Sequence, residues 1–276
     1  MVVADLHVHT TNSDGELRVE DIPGAARRAG VDVVAITDHD RPHPELDRPV
    51  ADVGGVTVVH GIELRVEVQS AGDHADEPVA GQRVDLLGYG LDPTPALESE
   101  CERIQQDRIE RGARIVERVE EHLGVDLDVE SRPGIGRPHV ARAVADHPEL
   151  EFDVQRVFDE LIGDGGPCYV ARDVPSFERG RALLAEACPL VGLAHPLRYD
   201  DPAAALSLAS ELDAVELCYP YERPVDPARQ PSTAPVERAI QRYDLIPTGG
   251  SDAHGTELGV AGLGKSGWER VALELR

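Results

Sequence analysis

Short apolar runs recur along this chain, and most are followed by a stretch in which apolar residues return every three or four positions. The runs near 2–7, 32–37, 56–62, 83–89, 190–194, 213–217 and 245–249 predict buried β-strands. Helical periodicity follows near 19–29, 176–187, 202–211 and 232–243. Seven buried strands with helical crossovers predict a parallel α/β barrel or a strongly curled sheet. A last strand is expected near 269–275, and the polar segment 65–82, with Gly72, Asp73, His74, Asp76, Glu77 and Pro78, is expected to be a solvated loop.

The interval 93–167 breaks this rhythm and predicts three consecutive helices without a strand. Pro93 and Pro95 open it, and Gly163-Asp164-Gly165-Gly166-Pro167 closes it. Its first helix, near 96–123, carries Ile104, Ile115, Val119 and Leu123 on one stripe. The expected organisation is therefore a barrel in two parts, 1–92 and 168–276, interrupted by an all-helical insert at 93–167.

Composition narrows the setting. The 276 residues carry a net charge of -25, and Lys265 is the only lysine, so the basic side chains are almost all arginine. A dispersed acidic surface stays hydrated in concentrated salt, where repulsion between carboxylates is screened. We read it as halophilic, adapted to a salty cytoplasm. The same charge disfavours stable binding to duplex nucleic acid. No basic leader precedes Val2-Val3-Ala4-Asp5-Leu6, and no apolar run has the length of about 18 residues that spans a bilayer. A cytoplasmic protein without a membrane partner is expected. Cys101, Cys168, Cys188 and Cys218 show no CxxC spacing, which predicts reduced thiols rather than a zinc knuckle or a disulfide framework.

The strand ends carry the chemistry. The first strand ends in His7-Val8-His9, where alternation places both imidazoles on one side, and Asp14 follows in the turn Asn12-Ser13-Asp14-Gly15. The second ends in Thr37-Asp38-His39-Asp40, and the third leads into Gly61-Ile62-Glu63. Later strands end in His195-Pro196 and in Ser251-Asp252-Ala253-His254. In α/β barrels sites form at the C-terminal ends of strands. Five of the eleven histidines lie there, with Asp14, Glu63 and Asp252. Burying those charges without partners would cost on the order of several kcal/mol each. Bound cations supply the partners, and mixed imidazole and carboxylate donors suit manganese, iron or zinc.

This ordered series, from HxH through TDHD and GIE to AHP and SDAH, resembles the PHP (polymerase and histidinol phosphatase) family over nearly the whole chain. The resemblance implies a distorted (β/α)7 barrel with a small all-helical insert, and a centre of two or three divalent ions. It further implies hydrolysis of phosphate esters by a metal-bound hydroxide. Carried over position by position, it makes His7, His9, Asp14, His39, Glu63, His195, Asp252 and His254 metal ligands, with Glu63 bridging. One position departs from the family pattern. Arg83-Val84-Asp85-Leu86-Leu87-Gly88 has Asp85 where the family usually has histidine. Asp85 is thus expected as a ninth ligand, harder than imidazole, which shifts the expected metal from zinc toward manganese or magnesium.

Gly136-Arg137-Pro138-His139 with Ala141-Arg142, and Gly166-Pro167-Cys168-Tyr169-Val170, resemble the PHP branch that includes 3',5'-nucleoside bisphosphate phosphatases and 5'-to-3' exoribonucleases. The implied substrate is a small phosphate ester, a nucleotide or a short 5'-phosphorylated RNA. Arg137, His139 and Arg198 are the expected phosphate contacts, and Arg108, Arg111 and Arg114 share one helical face. His195 and His139 are candidates to protonate the leaving oxygen. Asp40 is a candidate catalytic residue that, with Asp38, would act by orienting ligands. A histidinol phosphatase and a non-catalytic metal-binding PHP module are the alternatives.

Overall fold

The apolar runs pair edge to edge into a single curled sheet. In the computed structural model, which describes residues 1–68, 81–130, 135–221 and 232–276, the chain opens with β1 (Ala4–Val8), α1 (Ile22–Ala29), β2 (Val33–Ile36), β3 (Val50–Val53), β4 (Val56–Glu67) and β5 (Arg83–Tyr89). The helices α2 (Pro95–Leu123), α3 (Arg137–Ala145) and α4 (Val154–Val157) follow. Then come α5 (Phe177–Ala187), β6 (Leu190–Leu193), α6 (Pro202–Leu208), β7 (Ala214–Cys218), α7 (Ala234–Tyr243), β8 (Ile246–Gly249) and α8 (Lys265–Glu274).

The sheet order is β1-β2-β4-β5-β6-β7-β8, with β3 paired to β4 off that path. The two ends of the path meet where the His9 amide donates to the Ala253 carbonyl (2.9 Å) and the Ala253 amide donates to the His7 carbonyl (3.2 Å). This is the distorted barrel expected from the sequence, with its seven strands on the path. Two details differ. β3 is an additional strand, antiparallel to β4. β5 runs antiparallel to both β4 and β6, so the sheet is mixed rather than parallel. No crossover helix is described between β4 and β5, and a chain that returns without a crossover can pair only antiparallel.

Alternation sorts each strand between two apolar clusters. Val34, Ile36 and Val58 pack outward with Ile22 and Ala26 of α1. Val33, Ala35, Val59, Leu87 and Tyr89 belong to a second cluster that also takes in Val271 of α8. The strand expected near 269–275 is a helix instead. Trp268, Val271 and Leu275 recur at helical spacing and pack together on that second cluster, so the period is helical and not two. The loop expected over 65–82 starts later than its polarity suggests, because Arg65 to Glu67 continue β4. Residues 69–80, which include Gly72, His74 and Pro78, lie outside the described residues.

The chain divides into two compact units, one of residues 1–99 and 174–276 and one of residues 100–173. The second is all-helical. Ile115, Val119, Val140, Val144, Leu161 and Ile162 form its core. Cys168 and Val170 are buried in the same core, so the segment after Pro167 packs with the helices. The divisions therefore fall later than the expected 92/93 and 167/168. All four cysteines are free, three of them buried and Cys218 half-buried. Among the described residues no helix is long and apolar enough to cross a membrane.

The closure of the barrel leaves no room for a side chain at Gly250. A Cβ there would lie 2.3 Å from the His7 amide nitrogen and 2.4 Å from its Cβ, neither of which can swing away. Gly250→Ala is expected to destabilise the fold by about 1–3 kcal/mol, the range for overpacking a close-packed interior. Urea unfolding of both proteins in the same salt checks this, and equal midpoints would contradict it.

Candidate metal centre

The ends of β1, β2, β6 and β8, the turn after β1 and the paired strands β4 and β5 build the site. His7 and His9 project from β1 to the same side and are completely buried, with ring centroids 5.1 Å apart. The turn after β1 is held by Asp38, which accepts from the Thr10 amide (2.7 Å), the Thr10 hydroxyl (2.7 Å) and the Ser13 hydroxyl (2.8 Å). That grip presents Asp14, whose Oδ1 lies 3.4 Å from His254 Nε2 and whose Oδ2 lies 3.7 Å from His39 Nε2. Asp40 Oδ1 accepts from the Arg65 amide at 3.1 Å.

Glu63, on the inward face of β4, is the hub. Its Oε2 is 2.9 Å from His39 Nδ1 and 3.3 Å from Nε2 of both His7 and His9. Its Oε1 is 3.0 Å from His195 Nε2. Asp252 Oδ1 lies 3.2 Å from His9 Nε2 and 3.6 Å from His7 Nε2. Three non-glycine residues here adopt positive φ: Asp40 (56°), His195 (26°) and Asp252 (51°). Such backbone is unfavourable for side-chain-bearing residues and persists where surrounding contacts over-determine it. At His195 the contact is visible, because its amide donates to Glu216 Oε2 at 2.8 Å.

The structure thus gathers all nine expected ligands. Asp85 comes from near the start of β5, whereas His39, His195 and Asp252 come from just beyond the C-terminal ends of strands. The reversal of β5 places Asp85 directly opposite Arg65 of β4, and Arg65 Nε and Nη2 donate to its two oxygens at 2.6 and 2.5 Å. Arg198 Nη1 donates to the Tyr219 hydroxyl (2.5 Å) and to Asp252 Oδ2 (3.4 Å). Arg137 and His139 belong to the helical unit. There Arg137 pairs with Asp164 at 3.1 Å and His139 Nδ1 accepts from the Gly136 amide at 3.1 Å, capping α3. Of the arginine row, Arg111 is buried and donates to the Val170 carbonyl at 2.7 Å.

Several site residues carry no recognisable sequence motif. Glu216, fully buried in β7, accepts from His7 Nδ1 at 3.2 Å. In the neutral ring this selects the tautomer whose Nε2 is unprotonated and faces Glu63. Its only signal is a charge at the centre of the apolar strand Ala214-Val215-Glu216-Leu217-Cys218. The Tyr219 hydroxyl donates to Asp252 Oδ2 at 2.7 Å, and the Tyr199 hydroxyl accepts from the Asp85 amide at 2.8 Å.

Electrostatics and packing both call for cations here. Among the described residues His7 Nε2, both ring nitrogens of His9 and Glu63 Oε2 are buried without a hydrogen-bond partner, though they converge within a few ångströms. Three overlapping groups have metal-ligand spacing: His9, Asp14, His39 and His254; His7, His9 and Glu63; and Glu63, Asp85 and His195. The donors are nitrogen and carboxylate oxygen without thiolate, which fits divalent manganese, iron or zinc. In their absence protons take the role. Burial opposes charge on His39, but Glu63, Asp14 and Asp40 outweigh it and raise its pKa to about 9. His7 is likewise raised, by Glu216, Glu63 and Asp252 against the effect of burial. Burial also opposes ionisation of Glu63, yet His39 and His7 hold it well below the ordinary carboxylate range. The groups open onto a cavity of about 330 Å³ lined by His39, Glu63, Asp85, His195, Asp252 and His254, together with Arg65 and Arg198.

The PHP domain model matches residues 5–136. A phosphoribosyl 1,2-cyclic phosphate 1,2-diphosphodiesterase of Eggerthella lenta is 30% identical, over 92% of this chain and 95% of its own. A 3',5'-nucleoside bisphosphate phosphatase of Chromobacterium violaceum is 30% identical, over 72% of this chain and 69% of its own. Among solved structures, a metal-dependent phosphoesterase of Bifidobacterium adolescentis superposes with a TM-score of 0.73 at 22% identity, over 99% of this chain and 96% of that one.

The protonated histidines predict a pH signature for the metal-free protein. A histidine raised from 6.5 to about 9 contributes stability that is complete below pH 6.5 and lost as pH rises through 9. The depressed carboxylates act only at acid pH, outside this window. With chelator present, the melting temperature is expected to fall from pH 6.5 to 9, and added manganese to displace protons. A flat or rising melting temperature over that window would contradict the arrangement.

Proposed function

The chain belongs to the PHP domain family, and on that premise we propose that its Glu63-centred cavity hydrolyses phosphate esters of a ribose bearing a second phosphate. It is a hydrolase of the metal-dependent phosphoesterase kind. The observation that carries the proposal is the convergence of five imidazoles and four carboxylates on a cavity that also holds two guanidinium groups. The substrate follows from the two relatives, one named for a phosphoribosyl cyclic phosphate and the other for a nucleoside bisphosphate. Both names describe ribose with more than one phosphate group.

Divalent ions held by these residues, manganese first among them, supply Lewis-acid activation of water and offset the charge that grows on the phosphoryl oxygens. The chain does the rest. His7, His9, Glu63 and Asp252 form one donor set, and Asp14, His39 and His254 form another. Glu216 holds the His7 tautomer, and Asp38 holds the turn that carries Asp14. Arg198, anchored by Tyr219 and Asp252, offers a fixed guanidinium to a phosphate oxygen. His195, poised on Glu63, is the group that delivers a proton to the leaving oxygen. A phosphate-binding role for Arg137 and His139 rests on the Gly136-Arg137-Pro138-His139 motif. A salty cytoplasm is the proposed setting, from the net charge of -25.

Purified in high salt, stripped of metal and reloaded with manganese, the protein is expected to release phosphate or open the ring of four substrates unequally. Adenosine 3',5'-bisphosphate, a phosphoribosyl 1,2-cyclic phosphate and a short 5'-phosphorylated RNA should outrank histidinol phosphate. Glu216→Gln should lower metal affinity or activity by about 10–100-fold, the usual cost of removing a partner behind a ligating histidine. His7→Ala should abolish turnover. Preference for histidinol phosphate would move the chain to that branch of the family, and no turnover with any divalent ion would leave a metal-binding module.

A further inference from the structure

Of the three possible donor sets, the one formed by Glu63, Asp85 and His195 is unlike the others. Asp85 already gives both oxygens to one cation, through the two hydrogen bonds from Arg65. Neither Asp14 nor Glu63 accepts from a guanidinium among the described residues. Asp252 meets Arg198 only through Oδ2, leaving Oδ1 toward His7 and His9.

The pair is built into the sheet. Arg65 and Asp85 are register partners on β4 and β5, and both backbones are pinned. The Arg65 amide is bound by Asp40, the Asp85 amide by Tyr199, and the Asp85 carbonyl accepts from the Ala194 amide at 3.0 Å. Neither strand can slide to part the two side chains. A guanidinium does not deprotonate in proteins, so the positive charge is permanent. A divalent ion bound to Asp85 at a ligand distance of about 2.0–2.2 Å would sit beside that charge in a largely dehydrated site.

Arg65 also has capacity to spare. Its Nε and Nη2 are committed to Asp85, whereas Nη1 has no hydrogen-bond partner among the described residues. The side chain lines the cavity and is 33% exposed. It can therefore donate to a phosphate oxygen while keeping Asp85, offering one fixed positive charge and one directed N–H.

We infer that Arg65 takes the place of a third cation: the centre holds two divalent ions, and Arg65, neutralising Asp85, binds the phosphoryl group where a third ion would otherwise stand. Asp85 is then the positioning partner of Arg65 and not a ligand. This rests on the metal-centre proposal above, but a count of bound ions tests it without reference to turnover.

Equilibrium dialysis against manganese followed by elemental analysis supplies that count. The wild-type chain is expected to hold two ions, and Asp85→Asn to keep two. Arg65→Met, which frees Asp85 beside Glu63 and His195, is expected to hold three. Calorimetric titration with inorganic phosphate of two manganese-loaded variants that should both keep two ions, Asp85→Asn and the double variant Arg65→Met/Asp85→Asn, should show affinity weaker by about tenfold or more in the second, the loss of one charge-assisted hydrogen bond. Three ions in the wild type overturn the inference without need of any variant. So do loss of an ion in Asp85→Asn, an unchanged count of two in Arg65→Met, or equal phosphate affinity in Asp85→Asn and the double variant. Two ions with no turnover of any ester would instead uphold this inference and sink the phosphoesterase proposal.

Discussion

Glu63 is a fully buried carboxylate with four histidine nitrogens within 3.3 Å of its oxygens, and the rest of the site follows from what that burial requires. An ionised carboxylate removed from water is tolerated only against positive charge, and further carboxylates at Asp14 and Asp252 raise the demand. In the metal-free chain protons on His7 and His39 meet it, which is why their pKa values rise. Divalent ions meet it better, because the bare ring nitrogens and Glu63 Oε2 already converge. The positive-φ backbone at Asp40, His195 and Asp252 is held by the same network. The fold thus stores unfavourable conformation and charge where a cation can offset both.

Strand direction decides how each group reaches the centre. His7, His9, His39, His195, Asp252 and His254 come from or just beyond the C-terminal ends of parallel strands. β5 runs the other way, so its beginning lies at that same rim, opposite the second half of the long β4. One hairpin therefore brings in Glu63, Arg65 and Asp85 together. The alternation that turns Glu63 inward turns Arg65 inward two residues later. A hub carboxylate and a permanent cation are consequently tied to a single strand, while Glu216 behind His7 ties β1 to β7.

Much of this is legible in the sequence because it obeys local rules. His7-Val8-His9 declares a shared face through alternation, and apolar runs ending in His39, Glu63, His195 and Asp252 declare a common rim. What escapes is set by pairing rather than by pattern. Nothing local in Val84-Asp85-Leu86 states that β5 is reversed, so the partnership of Asp85 with Arg65 is invisible until the strands are laid side by side. Glu216 lies in an apolar run with no motif around it, and its role exists only once His7 is known to face it. The segment 269–275 reads as a strand when counted as an apolar run, although Trp268, Val271 and Leu275 recur at helical spacing. The extra strand β3 has alternating exposed and half-buried positions, too weakly apolar to stand out. With the Arg65→Met test in view, the residue that departs most from the family pattern is also the one whose partner the sequence hides.

The most direct test of the account is where divalent ions bind. Crystals grown from manganese-loaded protein, measured at the manganese absorption edge, locate the ions by anomalous scattering independently of any activity. The account predicts strong peaks inside the ring of site residues, one among His7, His9, Glu63 and Asp252 and one among Asp14, His39 and His254. Anomalous density confined to surface carboxylates, with none touching Glu63 or its histidines, would contradict it.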